Sequence, residues 1–434
     1  MSNSVPDTGT ASASASTGAS ASTGAYASTA ASAFTSAGLL HLAVALVGAG
    51  WHPAAWREPG ARPDALFTAG YWADLVAEAE RGLLDFVTFE DSLGRQSSDP
   101  SGPDDRTDRV SGRLDAVLTA ARVAPLTRHV GLVPTVVATH TEPFHASKAL
   151  ATLDYVSAGR AGLRVRVSGR PDEARHFGRR RFPDPRTAGP DTAAGRELAA
   201  GLFAEAADYV EVVRRLWDSW EDDAEIRDVA TGRFVDRAKL HYVDFEGRHF
   251  NVKGPSITPR PPQGQPPVSA LAHGPGTHPL LATSTDLGYL TPRNADEART
   301  AVAQVRAART AAGRAGEPLH LFGDLVVFLD AEPGAARARL ERLDARAGEP
   351  YRSDAKVFAG TPAQLADLLQ EWRAAGLTGF RLRPGVLAHD LPAVTRDLVP
   401  ELQRRGAFRT VYGAPTLRGL LGLSRPASRY ATAV

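Results

Sequence analysis

Eight short β-rich runs, spaced along the chain and separated by amphipathic helical stretches, constrain this sequence more than anything else in it. The runs are HLAVALV (41–47), LDFVTFED (84–91), VGLVPTVVAT (130–139), AGLRVRVS (161–168), PVSALA (267–272), LGYL (287–290), HLFGDLVVFL (320–329) and GFRLR (379–383). Between them lie stretches such as YWADLVAEAERG, RLDAVLTAARVA, PFHASKALATLDYVS, FAEAADYVEVVRRLWDSW and TPAQLADLLQEWRAAG, several with apolar residues at i, i+3, i+4 and i+7. Strands that alternate with helices build a parallel sheet under covering helices. Eight such units over this length predict an α/β fold, a (β/α)8 TIM barrel with insertions after the fourth strand. The open doubly wound sheet is the structural alternative. It more often shows a glycine-rich dinucleotide turn after its first strand, where this chain reads VGAGWHPAAW with only Gly48 and Gly50.

Three regions follow. Residues 1–38 are almost entirely Ser, Ala, Thr and Gly with Asp7 the only charge, too little apolar surface to offset the entropy of ordering, and read as a disordered tail. Residues 39–410 carry the barrel pattern, and 411–434 form a C-terminal extension. Two insertions, Arg/Pro-rich at about 169–196 and polar at about 221–265, flank a long helix after the fourth strand, on the face where the catalytic loops of such barrels sit.

Composition narrows the function classes. Fifty basic residues face 49 acidic ones, so no global field gathers nucleic acid or an anionic membrane. Only four of the basic residues are lysine, a bias that reads as base composition of the genome. The chain has no cysteine, which excludes disulfides, thiolate metal sites and thiol catalysis, and no metal site is expected. No run reaches the roughly 18 apolar residues of a membrane span, and the N-terminus lacks a secretory pattern, so cytoplasmic residence is the default expectation.

The stretches GWHPAAWREPGARPDA (50–65) and FTAGYWADLVAEAERGLLDFVTFEDSL (67–93) resemble the start of the nitrilotriacetate monooxygenase branch of the bacterial luciferase-like, flavin-dependent monooxygenase superfamily. THTEPFHASKALATLDYVSAGRAG (139–162), FNVKGPSITPRPPQGQPP (250–267), GTPAQLADLLQEWRAAGLTGFRLRP (360–384) and DLVPELQRRGAFRTVYGAPTLRGLLGL (397–423) are similar to later segments of that branch, in the same order. The resemblance implies an oxidoreductase that takes reduced FMN from a separate flavin reductase and, with oxygen, oxygenates a small organic substrate. It also implies a homodimer. In such chemistry the protein positions the flavin, excludes water and orients the substrate.

Carried over position by position, the resemblance puts Asp91 beside the flavin ring and Thr139 in contact with it. The plain alternative for Asp91 is a cap on the next loop or a pair with an arginine. His52, in the loop after the first strand, can move a proton near neutral pH, and Trp56 can wall a substrate pocket; equally, His52-Pro53 can shape a turn with Trp56 packed beneath a lid. Other positions depart from the family. Leu163-Arg164 stands where it has Trp-Asn, Ala199 and Phe203 where it has a gripping His and Tyr, and HGPGTHP where it has a phosphate loop built on a serine and a later Gly-Arg. Gly274 and Gly276 can still offer backbone N–H groups to a phosphate, or make an ordinary turn.

The fourth and eighth strands add a feature of their own. Successive residues of a strand face opposite sides, so with Leu163, Val165 and Val167 toward the helices, Arg164, Arg166 and Ser168 point into the lumen. By the same alternation Arg381 and Arg383 point inward from the eighth strand, nearly opposite. Four converging guanidinium groups require carboxylates, with Glu90, Asp91 and Asp324 the candidates, or a bound anion. The candidate cofactor contacts are therefore Asp91, Thr139, Arg164, Ser168, Gly274 and Gly276, the candidate substrate contacts Trp56, Arg166, Arg381 and Arg383, and the candidate catalytic residue His52. Two readings stay open: a flavin enzyme with rebuilt contacts for an anionic substrate or FMN phosphate, and a barrel that has lost flavin and serves as an accessory or anion-binding protein. A deazaflavin-dependent reductase is a more distant third. An open lumen lined by Asp91, Thr139 and Arg164 keeps the first reading alive, and a lumen closed by ion pairs rules it out.

Overall fold

The computed structural model describes residues 38–272 and 274–431. Apart from its last residue, the tail at 1–38 lies outside them, as does His273. Eight parallel strands close a barrel: β1 His41–Leu46, β2 Phe86–Phe89, β3 Gly131–Val137, β4 Leu163–Arg166, β5 Val268–Ala272, β6 Leu287–Leu290, β7 His320–Leu329 and β8 Gly379–Pro384. Each pairs with the next in chain order, and β8 returns to β1 with His41 opposite Gly379. All eight predicted strands are present. Burial on both faces explains why β1 and β3 read as unbroken apolar runs.

The outer layer is made by α1 Ala69–Arg81, α2 Ala116–Val123, α3 Pro143–Val156, the short α4 Pro171–Phe177 of the first insertion, α5 Ala193–Asp218, α6 His278–Ser284, α7 Ala295–Ala311, α8 Pro333–Ala347, α9 Pro362–Ala374 and α10 Leu387–Ala393. Local chemistry sets their starts. Thr68, Asp115 and Asn294 each accept a backbone N–H at an N-cap, and Thr361 with Gln364 forms a reciprocal capping box. Among the described residues no helix is long and apolar enough to cross a membrane.

Two features were not foreseen. Residues Lys356–Gly360 form a ninth strand that pairs with Leu325–Leu329, the upper half of β7, where β6 has already ended after pairing with His320–Gly323. The second insertion folds into two small hairpins, Glu225–Asp228 with Arg233–Val235 and Phe245–Glu246 with Asn251–Val252.

The C-terminal residues close the bottom of the barrel. Leu417, Leu421 and Leu423 pack with Ala43, Phe86, Val133, Leu287, Tyr289 and Phe322 as one buried cluster inside the lumen. Gly131 and Gly162, at the start of the third and fourth strands, make room for this plug: a Cβ would lie 2.7 Å and 3.1 Å from Leu417 methyl carbons. The lower lumen is therefore mainly apolar, with His41 and His320 the polar side chains at its floor, and the charged chain lies in the upper half, where the loops are.

Candidate active site at the carboxyl ends of the strands

The upper lumen is filled by a chain of alternating charges. Arg164 Nη1 donates to Glu90 at 2.8 Å and to Thr135 Oγ1 at 3.0 Å. Arg381 donates to the other Glu90 oxygen at 2.9 Å and, through Nε, to Asp324 at 2.8 Å, with the Tyr289 ring 4.1 Å from its guanidinium carbon. Arg383 donates to Asp324 at 3.0 Å and to Asp354 at 2.7 Å. Three guanidinium groups thus face three carboxylates. Burial pushes the Glu90 and Asp324 carboxyls up, but the arginines around each reverse this and hold both below the usual carboxylate range. Burial pushes Arg164 down to about 10, against the pull of Glu90, and at neutral pH it keeps its proton.

The inward direction of Arg164, Arg381 and Arg383 holds, and so do Glu90 and Asp324 as partners. Their expected role as ligand contacts does not: Arg381 and Arg383 are 0% and 1% exposed and fully engaged by protein carboxylates, so neither is available to a substrate. Arg166 also differs from expectation. It leaves the chain and donates from Nη1 to the Asp91 backbone oxygen at 2.6 Å, so three rather than four guanidinium groups converge. Closure of the lumen does not by itself decide between the two readings, because barrels of this kind are packed with side-chain layers and hold ligands above them, among the loops.

Above β2 to β4 the loops carry a cluster of polar side chains. The Asp91 carboxylate accepts the backbone N–H groups of Ser92 at 2.7 Å and Ala116 at 3.0 Å, tying the loop after β2 to the start of α2. Burial pushes this carboxyl above the usual range, against those two amides. Thr139 Oγ1 accepts the Ser168 N–H at 3.0 Å, joining the ends of β3 and β4, and Ser168 Oγ accepts the Arg170 N–H at 3.3 Å. Three residues that were not among the site candidates read from the sequence join this cluster. Glu173 on α4 is 0% exposed and neither of its carboxylate oxygens has a hydrogen-bond partner; Arg170 Nε is 3.9 Å away. Arg113 Nε and His140 Nε2 are likewise buried without partners. The charge of Glu173 is felt by both Arg113 and His140, and burial pushes both of those groups down in pKa. The sequence hid them because α4 and the loop around Arg113 lie in irregular segments with no periodicity to orient a side chain.

On the β1 and β8 side lies a cavity of about 500 Å3, lined by Trp51, His52, Trp56, Ser97, Arg109 and Tyr351 among others. Its β1 wall is stitched to the end of β8: the N–H groups of Trp51 and His52 donate to Pro384 and Gly385 oxygens, both at 3.0 Å. Gly50 permits that approach, with φ +142° and only 2.3 Å from a virtual Cβ to the Gly385 oxygen. Trp56 lines the cavity, with its indole N–H on Asp108 O at 3.1 Å. His52 does not offer a free nitrogen. Its Nδ1 accepts the Ala54 N–H at 3.1 Å, so Nε2 carries the proton and donates to Asp344 at 3.0 Å. Burial lowers its pKa against Asp344 and Glu58, so the ring is neutral and acts by position in the turn.

Gly274 and Gly276 sit in a turn where Thr277 bonds back to the Gly274 oxygen through N–H at 3.1 Å and through Oγ1 at 2.7 Å. A Cβ on either glycine would meet nothing within 4 Å. The adjoining cavity, about 550 Å3, is lined by His278, Asp296 and Glu297 but by no arginine or lysine. Among the described residues no group of three or more His, Asp or Glu is placed to hold a metal ion.

Comparison with known proteins agrees with this architecture. The family model described as luciferase-like monooxygenase matches residues 47–379. N-acetyl-S-(2-succino)cysteine monooxygenase of Bacillus subtilis (strain 168) is 29% identical, the match covering 90% of this chain and 98% of that protein. Nitrilotriacetate monooxygenase component A of Aminobacter aminovorans is also 29% identical, over 87% of this chain and 95% of that one. Among solved structures, a long-chain alkane monooxygenase superposes with a TM-score of 0.78 at 22% identity, covering 88% of this chain and 95% of that one. A barrel of this order, with its polar cluster and cavity at the carboxyl ends of the strands, belongs with these proteins: the chain is a member of the luciferase-like monooxygenase family.

Proposed function

We propose that this chain is the oxygenase of a two-component flavin system. It takes reduced FMN from a separate flavin reductase and, with molecular oxygen, transfers one oxygen atom to a small organic substrate; the second leaves as water and the flavin leaves oxidised. The observation that carries this reading is the set of buried, unpartnered polar groups beside Asp91 and Thr139: the Glu173 carboxylate, Arg113 Nε and His140 Nε2. A buried carboxyl group without hydrogen-bond partners is costly, by about 1–3 kcal/mol or more, so such a group is explained when a ligand supplies the missing donors. The pyrimidine edge of a flavin presents an N–H between two carbonyl oxygens, which fits one acceptor and one guanidinium donor.

The phosphate end fits less well. Next to Gly274 the cavity offers two carboxylates, Asp296 and Glu297, and a histidine whose pKa burial lowers, so among the described residues a phosphate dianion has no cationic partner there. The reading is therefore of a flavin held by its ring. When bound, reduced flavin supplies the electrons that activate oxygen. The residues of this chain bind and orient: Glu173 and Arg113 fix the ring edge, Asp91 holds the loop after β2 closed over the cluster, and that loop keeps water out. No proton transfer is assigned to His52, whose two nitrogens are engaged.

The alternative, a barrel without flavin that binds anions, draws on the ion-pair chain. Its anion-binding half loses support because Arg164, Arg381 and Arg383 are already neutralised by Glu90, Asp324 and Asp354. The deciding experiment is anaerobic titration with reduced FMN, followed by calorimetry, then admission of oxygen. Saturable binding with reoxidation slower than that of free flavin is the expected result; no heat at high flavin concentration overturns the proposal. The same titration with reduced riboflavin tests the phosphate end, and the two affinities are expected within about threefold of each other, a difference under about 0.7 kcal/mol.

A further inference from the structure

The cavity on the β1 side has rigid aromatic walls. Trp51 is anchored by its indole N–H to Ala45 O at 3.2 Å, and the Arg383 guanidinium lies 4.6 Å from its ring centroid. Arg383 is itself pinned by Asp324 and Asp354, so the ion-pair chain of the upper lumen ends as a fixed support beneath Trp51. Trp56 is held by Asp108 O at 3.1 Å, and Tyr351 by its backbone N–H on Asp344 at 2.8 Å, with its ring 5.2 Å from that of His52. All three rings are half-buried and line the same space. Aromatic walls fixed before binding lose little entropy when a ring stacks on them.

Most of the polar groups around these rings are already satisfied, and Arg352, which also lines the cavity, is exposed to solvent. Gln96 exchanges two 2.9 Å bonds with the backbone of Gly112, Ser97 Oγ donates to Gly102 O at 2.6 Å, and Ser98 Oγ to Asp104 at 2.9 Å. Arg109 pairs with Asp104, and Glu349 with Arg106. A charged ligand therefore finds no buried counter-ion waiting among the described residues; Arg352 faces solvent, where an ion pair contributes little.

From this we infer that the cavity is the substrate site and that it selects an uncharged, planar aromatic ring system, stacked on Trp51 and edged by Trp56 and Tyr351. The inference rests on the oxygenase reading for the word substrate, but the recognition it describes is independent of flavin. A volume of about 500 Å3 lies in the range of small-molecule pockets. The expectation of an anionic substrate, drawn from the arginine-rich strands, gives way because those arginines support a wall and do not face the ligand.

The test measures equilibrium binding of three probes by calorimetry, to the free protein and after anaerobic loading with reduced FMN. The probes are naphthalene-2-carboxamide, its fully saturated decahydro counterpart, and 2-naphthoate. The aromatic amide is expected to bind at least about tenfold tighter than the saturated one, and naphthoate no tighter than the amide. Trp51→Leu and, on a half-buried loop position that leaves the barrel intact, Trp56→Leu are each expected to weaken the amide about tenfold while leaving reduced FMN binding unchanged. Equal binding of the saturated probe, a tenfold preference for naphthoate, or no binding of any probe in either state overturns the inference. Failure of reduced FMN to bind overturns the oxygenase reading and leaves the probe result to stand or fall by itself.

Discussion

The two halves of the barrel lumen solve the same packing problem in opposite ways. The lower half is filled with apolar side chains and sealed by Leu417, Leu421 and Leu423 from the far end of the chain. The upper half is filled with Arg164, Glu90, Arg381, Asp324 and Arg383, which are engaged chiefly by one another, with Thr135 and Asp354 taking further bonds at the ends of the chain. An apolar layer is stabilised by the area it removes from water and tolerates partial repacking. A charged layer roughly breaks even against its own desolvation but is intolerant of losing one member. The difference teaches why the charged half lies under the site: it holds Trp51 and the ends of β2 and β8 in one geometry, at no great gain in stability.

Breaking the charged layer gives the largest expected effect. Asp324→Asn strands Arg381 and Arg383 on each other, and urea unfolding is expected to show a loss of about 3–5 kcal/mol. Leu421→Ala, which opens a cavity in the plug, is expected to cost about 2–4 kcal/mol, and a smaller loss would mean the floor collapses to refill it.

Acid sharpens the contrast. His320, at the floor, bonds to the Leu421 oxygen at 2.8 Å and is pushed down to about 4, by burial first and then by the charge of His41. The unfolded imidazole takes its proton near 6.5, so this contribution is intact above pH 6.5 and is lost as pH falls from there toward 4, on the order of 3 kcal/mol. Glu90 and Asp324 have lowered values, so their contribution is present above the ordinary carboxylate pKa and is lost only as pH falls below about 4. Stability against pH, measured for the natural chain and for His320→Gln, separates the two: the variant is expected to flatten the curve between pH 6.5 and 4 and leave the steeper acid limb in place.

The smallest effect on stability is expected at the mouth. Glu173→Leu replaces a buried carboxylate without hydrogen bonds by an apolar side chain, and is expected to raise stability by about 1 kcal/mol while weakening reduced FMN about tenfold. A loss of both would show that Glu173 is held by protein contacts rather than kept for a ligand.

Much of the fold was legible because it rests on periodicity. β1, β3 and β7 are apolar runs bounded by turn residues, and α1 and α9 carry their own caps, so each signal is local. Residues 356–360 were not legible as a strand, since KVFAG is half-buried and gains its meaning only from the gap that the short β6 leaves beside β7. For the site, alternation alone pointed Arg164, Arg381 and Arg383 inward and named Glu90 and Asp324 as partners. It could not say that Asp354, from a loop, would complete the neutralisation, or that Arg166, one pleat further on, would leave the lumen for the Asp91 backbone.

The sequence by itself determined the barrel, its strand order and the charged layer in its lumen, because strand pleating and chain-order pairing are short-range consequences of residue type. Only the tertiary structure decided which polar groups are spent and which are spare. His52 and Asp91 are chemically apt from sequence, yet backbone amides and Asp344 already engage them, while Glu173, unremarked in the sequence, is the carboxylate left without a donor. Whether a polar group is satisfied depends on neighbours brought from distant segments, and that is settled in space, not along the chain.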